Sequence, residues 1–334
     1  VLALEPGNQD ANNYLQALIN RQNGRSSAKP DVLNDETVSS AKAESIDLNS
    51  EESANQAAQP QPTVSIFISL DGSQNRIKQC IESIPAHTEE PHEIILINSG
   101  ATKGVLKWAQ NLAKDNAHCQ LVKCDQMHSW AQGLNQAVKA AAGEYIVLMH
   151  NDVVVADRWL SRMLQCLRSG AAIGVVGPMT NETSGIQKAY FSEERDPNRL
   201  ESDAKAFYTQ NQHRRIFTTQ LVSFFLMFRH ELIDKIGDFD AQLVSEQAVV
   251  ADFCKRSAAW GFQNLVAGDV FVYHADRHKD SRKTSDAVQV PAEDQKRLKE
   301  NWNKLKGDRR FLTRIQMMSL LETVNNLHQG GYVE

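Results

Sequence analysis

The sequence predicts an α/β fold with a mainly parallel sheet and helices on both of its faces. Two observations predict it. Short apolar runs of the buried-strand type alternate with amphipathic helix patterns from residue 63 onwards, in the order strand, helix, strand. The 334 residues are 41% hydrophobic and 23% charged, which is ordinary globular composition with length for about two domains. A sizeable core is therefore available to such a sheet.

The first half of this predicted domain has four strand patterns and three helix patterns. The strands read TVSIFISL, HEIILINSG, CQLVKC and EYIVLMH, and amphipathic helices are predicted over residues 74–84, 102–113 and 131–142. The second half is more mixed, with strand patterns in IGVVGP, LVSFFLMF and DVFVYH and helix patterns over 230–236 and 249–260. The repeated alternation in the first half indicates parallel strands joined by crossover helices.

Four segments make up the predicted domain organisation. Residues 1–24 have the helix, Pro-Gly turn, helix pattern of a partial tetratricopeptide repeat, although an isolated amphipathic helix pair explains one copy equally well. Residues 25–62 are rich in Ser, Ala, Asn, Gln and acids, which predicts a disordered linker. The α/β domain is predicted over 63–280, and residues 281–334 are expected to form a charged helical extension packed on its outside.

Charge and hydropathy argue against a nucleic-acid partner and a transmembrane segment, and cysteine usage indicates the redox compartment. A net charge of −5 and a pI near 6.1 argue against a nucleic-acid partner. The sequence has no apolar run of roughly 18 residues, so no transmembrane segment is expected. The five cysteines are odd in number and scattered, which indicates free thiols in a reducing compartment. The expected location is cytoplasmic, with any contact to the inner face of a membrane made through partners.

One polar stretch follows a buried strand directly. In GEYIVLMHNDVVVADRWL, the apolar run of residues 145–149 is followed at once by His150, Asn151 and Asp152. Ligands of open α/β sheets bind at the carboxyl ends of the strands, so Asp152 is a candidate ligand-binding carboxylate. The alternative is an Asx-type turn residue between strand and helix.

The order and spacing of these segments resemble family 2 glycosyltransferases with the GT-A fold. The resemblance covers about residues 63–280 and rests on SIFISLDGSQNRIKQCIESI, HEIILINSGATKG, SWAQGLNQAVKAAAGEYIVLMHNDVVVADRWLSRML, GVVGPMTNETSG, FFLMFRHELIDKIGDFDAQL and WGFQNLVAGDVFVYH. It implies a nucleotide diphosphate sugar donor, a divalent cation held by an Asp-X-Asp-type motif, and a glycan, lipid-linked or protein acceptor.

The resemblance places the cation at the end of the fourth strand. The motif reads His150, Asn151, Asp152 here, and one carboxylate is enough because Mn²⁺ or Mg²⁺ fills its other sites with waters and substrate phosphates. Asp152 is therefore the predicted ligand, and His274, which ends DVFVYH, is the second. His150 is assigned to the nucleotide side of the motif rather than to the ion.

The nucleotide sugar is expected on the ends of the first and second strands. The resemblance assigns it Ser69, Asp71, Asn98, Gly100, Asn135, His150 and Asn151. Gly100 provides the sharp turn, and Asn98 replaces the carboxylate that usually accepts the base N–H. An amide carries both a donor and an acceptor, so UDP- and dTDP-linked sugars are the expected donors. Trp130, in the loop before Asn135, is assigned to packing.

An inverting transfer needs a general base for the acceptor hydroxyl. The family supplies the Asp of a Glu-Asp pair, but a simple ungapped alignment puts Val249 and Val250 there. Glu246 is the first candidate base and Asp252 the second. The missing pair and Asn98 leave an alternative, a catalytically idle GT-A domain that binds a nucleotide or glycan. A dinucleotide-binding enzyme is disfavoured because DGSQNR lacks a Gly-x-Gly-x-x-Gly fingerprint.

Overall fold

A computed structural model describes residues 64–122, 129–183, 185–190, 199–274 and 290–305 of the chain. The predicted repeat fragment at residues 1–24, the predicted linker at 25–62 and most of the predicted extension at 281–334 lie outside these ranges. Those predictions stay predictions, and the description below concerns the α/β domain and one helix of the extension.

The described ranges contain nine strands and eight α-helices in an alternating order. In chain order they are β1 (Val64–Ser69), α1 (Gln74–Ala86), β2 (His92–Ile97), α2 (Lys103–Asp115), β3 (Cys119–Val122), α3 (Trp130–Ala140), β4 (Tyr145–Met149), β5 (Val153–Val154), α4 (Trp159–Arg168), β6 (Ile173–Thr180), α5 (Leu200–Gln210), β7 (Arg215–Thr218), β8 (Phe225–Arg229), α6 (Glu231–Ile236), α7 (Glu246–Ala259), β9 (Gln263–His274) and α8 (Ala292–Leu305). A short 3₁₀ turn spans Gly185–Gln187.

The strands form one sheet with the order β3-β2-β1-β4-β8-β6-β9-β5, and β7 also pairs with β9. β3, β2, β1 and β4 are parallel neighbours, and β6 runs parallel to β9. β8 is antiparallel to both β4 and β6, which joins the two parallel groups in the same direction. The predicted mainly parallel α/β fold is confirmed, and the carboxyl ends of β1, β2, β4 and β9 meet at one edge.

Helices cover both faces of the sheet. Ile66 of β1 packs in the same apolar cluster as Ile77 of α1 and Trp159 of α4, while the next residue, Phe67, belongs to a second cluster with Phe253 of α7. Successive strand residues point to opposite faces, so β1 contributes to both cores. Burial of each large apolar side chain contributes about 1.5–3 kcal/mol.

Helix α7 begins one turn earlier than the apolar pattern indicates. The pattern predicted residues 249–260, whereas the helix spans Glu246–Ala259. Ser245 caps it, because its hydroxyl accepts a hydrogen bond from the Ala248 N–H, and a Ser cap satisfies a backbone donor that would otherwise lack a partner. The capped turn places Glu246 at the first position of the helix.

The cysteines of the described residues are buried and unpaired in disulfides. Cys80, Cys119, Cys166 and Cys254 are buried free thiols, as predicted. Burial raises the pKa of Cys119 to about 11 and those of Cys166 and Cys254 to about 12. All three thiols therefore stay protonated at neutral pH. None of the helices described combines the length and the apolar character needed to span a bilayer.

Candidate active site

Strand register brings the end of β4 to the end of β9. β5 follows β4 after a tight turn and pairs antiparallel with β9, so that Val153 lies opposite His274. Asp152, one residue before Val153, consequently faces the His274 imidazole, with 3.1 Å between Asp152 Oδ1 and His274 Nε2. The two predicted cation ligands are thus neighbours, although 122 residues separate them along the chain.

His150 joins these two residues in one cluster. One ligand atom each from His150, Asp152 and His274 lies within 4.8 Å of the others. The His150 and His274 rings are 5.7 Å apart, and Asp152 is only 2% exposed. The sequence analysis assigns His150 to the nucleotide side, whereas in the structure it lies where it could be a third cation ligand. His150 and Asp152 are two positions apart in the sequence, and this spacing is the signal that could have indicated a shared site.

The environment of His274 leaves its Nε2 facing a carboxylate. His274 Nδ1 lies 3.2 Å from the Glu182 carbonyl oxygen, and the Phe224 ring stacks on the imidazole at 5.5 Å. When Nδ1–H donates to that carbonyl, Nε2 carries a lone pair. A lone pair and a carboxylate oxygen 3.1 Å apart repel each other unless a proton or a cation lies between them. A cation bound to both atoms resolves this contact, and a backbone-anchored imidazole is a common metal ligand.

The His150 ring is also incompletely satisfied. Its backbone N–H donates to the Phe224 carbonyl at 2.9 Å, which fixes the residue at the end of β4. Its Nε2 lies 2.9 Å from Glu246 Oε2 without the alignment of a hydrogen bond. Both ring nitrogens are buried and lack an aligned hydrogen-bond partner within the described part of the chain. A buried nitrogen of this kind has the capacity to bind a ligand.

Asn151 ties the end of β4 to the end of β1. Its Nδ2 donates to the Ser69 carbonyl and to the Asp71 carboxylate, each at 2.7 Å, and to the Asp71 carbonyl at 2.5 Å. The side chain is buried, so Asn151 has a structural position between the two strand ends. Asp71 is half-buried beside it. These contacts shape the edge where the nucleotide was predicted.

The space between these strand ends and α3 is nearly filled. The Trp130 indole N–H donates to Ser69 Oγ at 3.0 Å, so the ring lies over the end of β1. The remaining enclosed cavity is about 10 Å³, roughly the space of one water. Trp130, predicted as a packing residue, lines this cavity together with Glu246 and His150. A nucleotide base at this position would require the Trp130 side chain to move.

The turn after β2 has the predicted geometry. Gly100 has a φ of +108°, a left-handed conformation that favours glycine, and open space surrounds its Cα. Asn98 Oδ1 accepts a hydrogen bond from the Ala101 N–H, three residues on, at 3.2 Å, which holds the turn closed. Asn98 thus lies half-buried at the carboxyl end of β2. Its contact with a base stays a prediction.

Asn135 is engaged with the protein backbone. Its Nδ2 donates to the Phe239 carbonyl at 2.9 Å, and its Oδ1 accepts from the Phe239 N–H at 3.0 Å. Ser129 Oγ adds a hydrogen bond to the Ala241 carbonyl. These contacts fix the turn of residues 238–241 against α3. The observed position supports a role in loop architecture, and the predicted sugar contact stays a prediction.

The two candidate bases, Glu246 and Asp252, differ in access from the cleft. Glu246 is 30% exposed and touches the cluster through His150. Val249 and Val250 are fully buried and have no basic group. Asp252 is also fully buried, and its carboxylate accepts hydrogen bonds from Arg256 Nε at 2.7 Å and from Asn301 Nδ2 at 3.1 Å. Full burial and the contact with Arg256 argue against Asp252 as base, because they leave an acceptor hydroxyl no access to its carboxylate. The choice between Glu246 and Asp252 stays a prediction.

Comparison with known proteins identifies the family. Residues 65–237, just over half of the chain, match the family model described as Glycosyl transferase family 2, and the chain belongs to that family. Glu246 and His274 lie beyond the matched segment.

Two curated relatives are similar over shorter segments. The glycosyltransferase GlyG of Streptococcus pneumoniae is 22% identical over 128 residues, which is 38% of this chain and 42% of the relative. The uncharacterized glycosyltransferase EpsJ of Bacillus subtilis is 27% identical over 143 residues, which is 42% of this chain and 40% of the relative. The aligned parts thus span less than half of either relative.

A solved structure has a similar fold. The crystal structure of GalNAc-T7 with UDP, GalNAc and Mn²⁺ matches with a TM-score of 0.57 at 14% identity, over 74% of this chain and 49% of that one. The likeness supports the GT-A fold that the strand order and the resemblance predicted.

Proposed function

We propose that the chain is a cation-dependent, inverting glycosyltransferase. It moves a sugar from a nucleotide diphosphate donor to a hydroxyl of a glycan, a lipid-linked saccharide or a protein. The observation that carries this proposal is the cluster of His150, Asp152 and His274 at the carboxyl edge of the sheet, with Glu246 in contact with it.

The ligand set of the cluster favours Mn²⁺ over Mg²⁺. Two imidazoles and one carboxylate offer nitrogen and oxygen together, whereas Mg²⁺ is usually held by oxygen atoms alone. His150, Asp152 and His274 would hold the ion, and the remaining coordination sites would be left to the diphosphate and waters. When bound, the ion supplies positive charge at the position of the leaving diphosphate.

Glu246 supplies the base of the proposed reaction. The acceptor oxygen attacks the anomeric carbon, its proton passes to a Glu246 carboxylate oxygen, and the bond from the anomeric carbon to the diphosphate breaks with the electron pair on the leaving group. The side chain is suited to this task because it is partly exposed and fixed at the first turn of α7. Attack opposite the leaving group inverts the anomeric centre.

The donor is proposed to carry a uracil or thymine base. The support is the position of Asn98 at the end of β2, where an amide can both donate and accept hydrogen bonds. GalNAc-T7, which has a similar fold, was solved with UDP and Mn²⁺, and we extend that pairing to this chain as part of the proposal. Ser69 and Asp71 would complete the nucleotide side of the cleft.

The alternative is a GT-A domain that binds a nucleotide or glycan without transfer. One observation favours it: Val249 and Val250 are buried where the family's acidic pair is expected. The cavity beside Trp130, about 10 Å³, requires Trp130 to move in either case, but a binder does not require a base.

Donor hydrolysis separates the two candidates. The chain is incubated with a panel of UDP-, dTDP- and GDP-sugars, with Mn²⁺ or with a chelator, and release of nucleoside diphosphate is measured. The transferase predicts slow Mn²⁺-dependent release from at least one donor. Binding of a nucleoside diphosphate without release from any donor sugar would overturn the proposal and favour the binding domain.

A further inference from the structure

Helix α8 reaches the turn that carries Glu246. The helix lies outside the matched family segment, and its Asp294 is only 1% exposed. Asp294 Oδ1 accepts a hydrogen bond from the Val244 N–H at 2.9 Å. Its Oδ2 accepts from the Ser245 N–H at 2.8 Å and from Ser245 Oγ at 2.5 Å. One buried carboxylate therefore holds two consecutive residues with three hydrogen bonds.

Those two residues set where α7 begins. Ser245 is the N-cap of the helix, and Glu246 is its first residue. The Ser245 hydroxyl, which donates to Asp294, also accepts from the Ala248 N–H, so Asp294 and the cap form one continuous chain of hydrogen bonds. The Glu246 carboxylate in turn lies 2.9 Å from His150 Nε2. The position of the carboxylate in the cleft thus depends on a cap that α8 fixes.

A second set of contacts from α8 ends elsewhere. Arg297 Nε donates to Asp240 at 2.8 Å, and Asn301 Nδ2 donates to Asp240 at 2.7 Å and to Asp252 at 3.1 Å. These bonds anchor the turn before the cap and the middle of α7. Within the described residues, the α8 hydrogen bonds that reach Val244 and Ser245, directly before Glu246, are those of Asp294.

We propose that Asp294 is a positioning residue for the transfer reaction, acting through the Ser245 cap on the Glu246 carboxylate. This inference rests on the proposed function. It assigns α8 the role of completing the base side of the cleft, while His150, Asp152 and His274, which would hold the cation, lie at the ends of β4 and β9. Loss of Asp294 should consequently affect the chemical step and spare donor binding.

A double-mutant cycle tests this role. Asp294→Ala, Glu246→Gln and the double variant are compared with wild type for kcat and for the donor KM. Displacement of a catalytic group by about 1 Å can cost up to about 10²-fold in rate. We expect Asp294→Ala to lower kcat by about 10-fold or more with less than about a twofold change in donor KM. In the Glu246→Gln background the same substitution should have almost no further effect, because the group that Asp294 positions is already inactive.

Arg297→Ala is the matched control, since it removes an anchor of the same helix one turn further on. Arg297→Ala should change kcat by the same factor in the Glu246→Gln background as in wild type. If Asp294→Ala fails to fold, Ser245→Ala, which removes one of the three hydrogen bonds to Asp294 together with the cap bond from the Ala248 N–H, replaces it in the cycle. The positioning role is wrong if Asp294→Ala lowers kcat by the same factor in the Glu246→Gln background as in wild type. It is also wrong if Asp294→Ala mainly changes the donor KM. Absence of any transfer or hydrolysis by wild type would instead contradict the proposed function itself.

Discussion

The two sides of the cleft are built by different means. On the proposed cation side, the pairing of β5 with β9 brings Asp152 and His274 together, and contacts with the Glu182 carbonyl and the Phe224 ring hold the imidazole. On the base side, Glu246 is placed by a helix cap that depends on Asp294, 49 residues further along the chain from Ser245. The cation side is therefore a property of the sheet, and the base side is a property of two helices docked on it. The cation side should tolerate changes in α7 and α8 that the base side does not.

The largest expected effect is on the base side. Glu246→Gln keeps the size of the side chain and removes its proton affinity, so turnover should fall by about 10² to 10⁴ while donor binding persists. Steady-state kinetics and the thermal shift with UDP and Mn²⁺ measure the two quantities. Equal turnover in Glu246→Gln and wild type would remove Glu246 from the mechanism and weaken the contrast between the two sides.

Asp252 should matter for folding and little for chemistry. Asp252→Ala leaves the partly buried Arg256 guanidinium without its fully buried carboxylate partner. Breaking a fully buried ion pair costs about 3–5 kcal/mol, so a loss of up to about 3 kcal/mol of unfolding free energy is expected for this partly exposed pair. Urea unfolding at pH 7 measures this loss. Turnover per folded molecule should stay within about threefold of wild type, which is far smaller than the expected effect of Glu246→Gln. A stable Asp252→Ala protein with abolished turnover would return Asp252 to the list of bases.

A smaller effect, on the stability of the fold at low pH, is expected from Asp240, which anchors α8. Burial raises the pKa of Asp240, but hydrogen bonds from Arg297 and Asn301 outweigh it and hold the pKa below its usual value. A carboxyl with a lowered folded pKa contributes stability above its unfolded pKa of about 3.9, and the contribution is lost as pH falls through the folded pKa. The stability advantage of wild type over Asp240→Asn should therefore be full at pH 6 and shrink below about pH 4. An advantage that is constant between pH 6 and pH 3 would contradict this.

The same contrast explains what could be predicted from the sequence. The order of strands and helices and the pair Asp152 and His274 were accessible because buried strands and the polar residues that end them leave local patterns. His150 was assigned to the nucleotide side alone because the sequence does not show which way a side chain at a strand end points, and the structure adds a possible place for it in the cation cluster. Its spacing of two from Asp152 was the available signal.

The residues that place Glu246 left weaker signals in the sequence than the strand ends did. The start of α7 was missed because Glu246 and Gln247 interrupt the apolar periodicity, and the Ser245 cap that extends the helix is a single polar residue. Asp294 has no local signal at all. It lies in the first turn of a strongly charged helix, where an acidic residue is ordinary, and its burial arises only from contact with a distant segment. Long-range hydrogen bonds of this kind cannot be ranked from one sequence.

The role of Asp152 as a cation ligand can be tested by one comparison of ligand-dependent stability. Thermal unfolding of wild type and Asp152→Asn is followed with UDP, in the presence of Mn²⁺ or of a chelator. Asp157→Asn is the matched control, because His87, Asp157 and Glu201 form a second, exposed group of candidate ligands. We expect a Mn²⁺-dependent stabilisation in wild type and in the control, and its loss in Asp152→Asn, since an amide cannot supply the anionic ligand. If Asp152→Asn keeps the full Mn²⁺-dependent shift, Asp152 is a turn residue and not a ligand, because Asn serves a turn as well as Asp does.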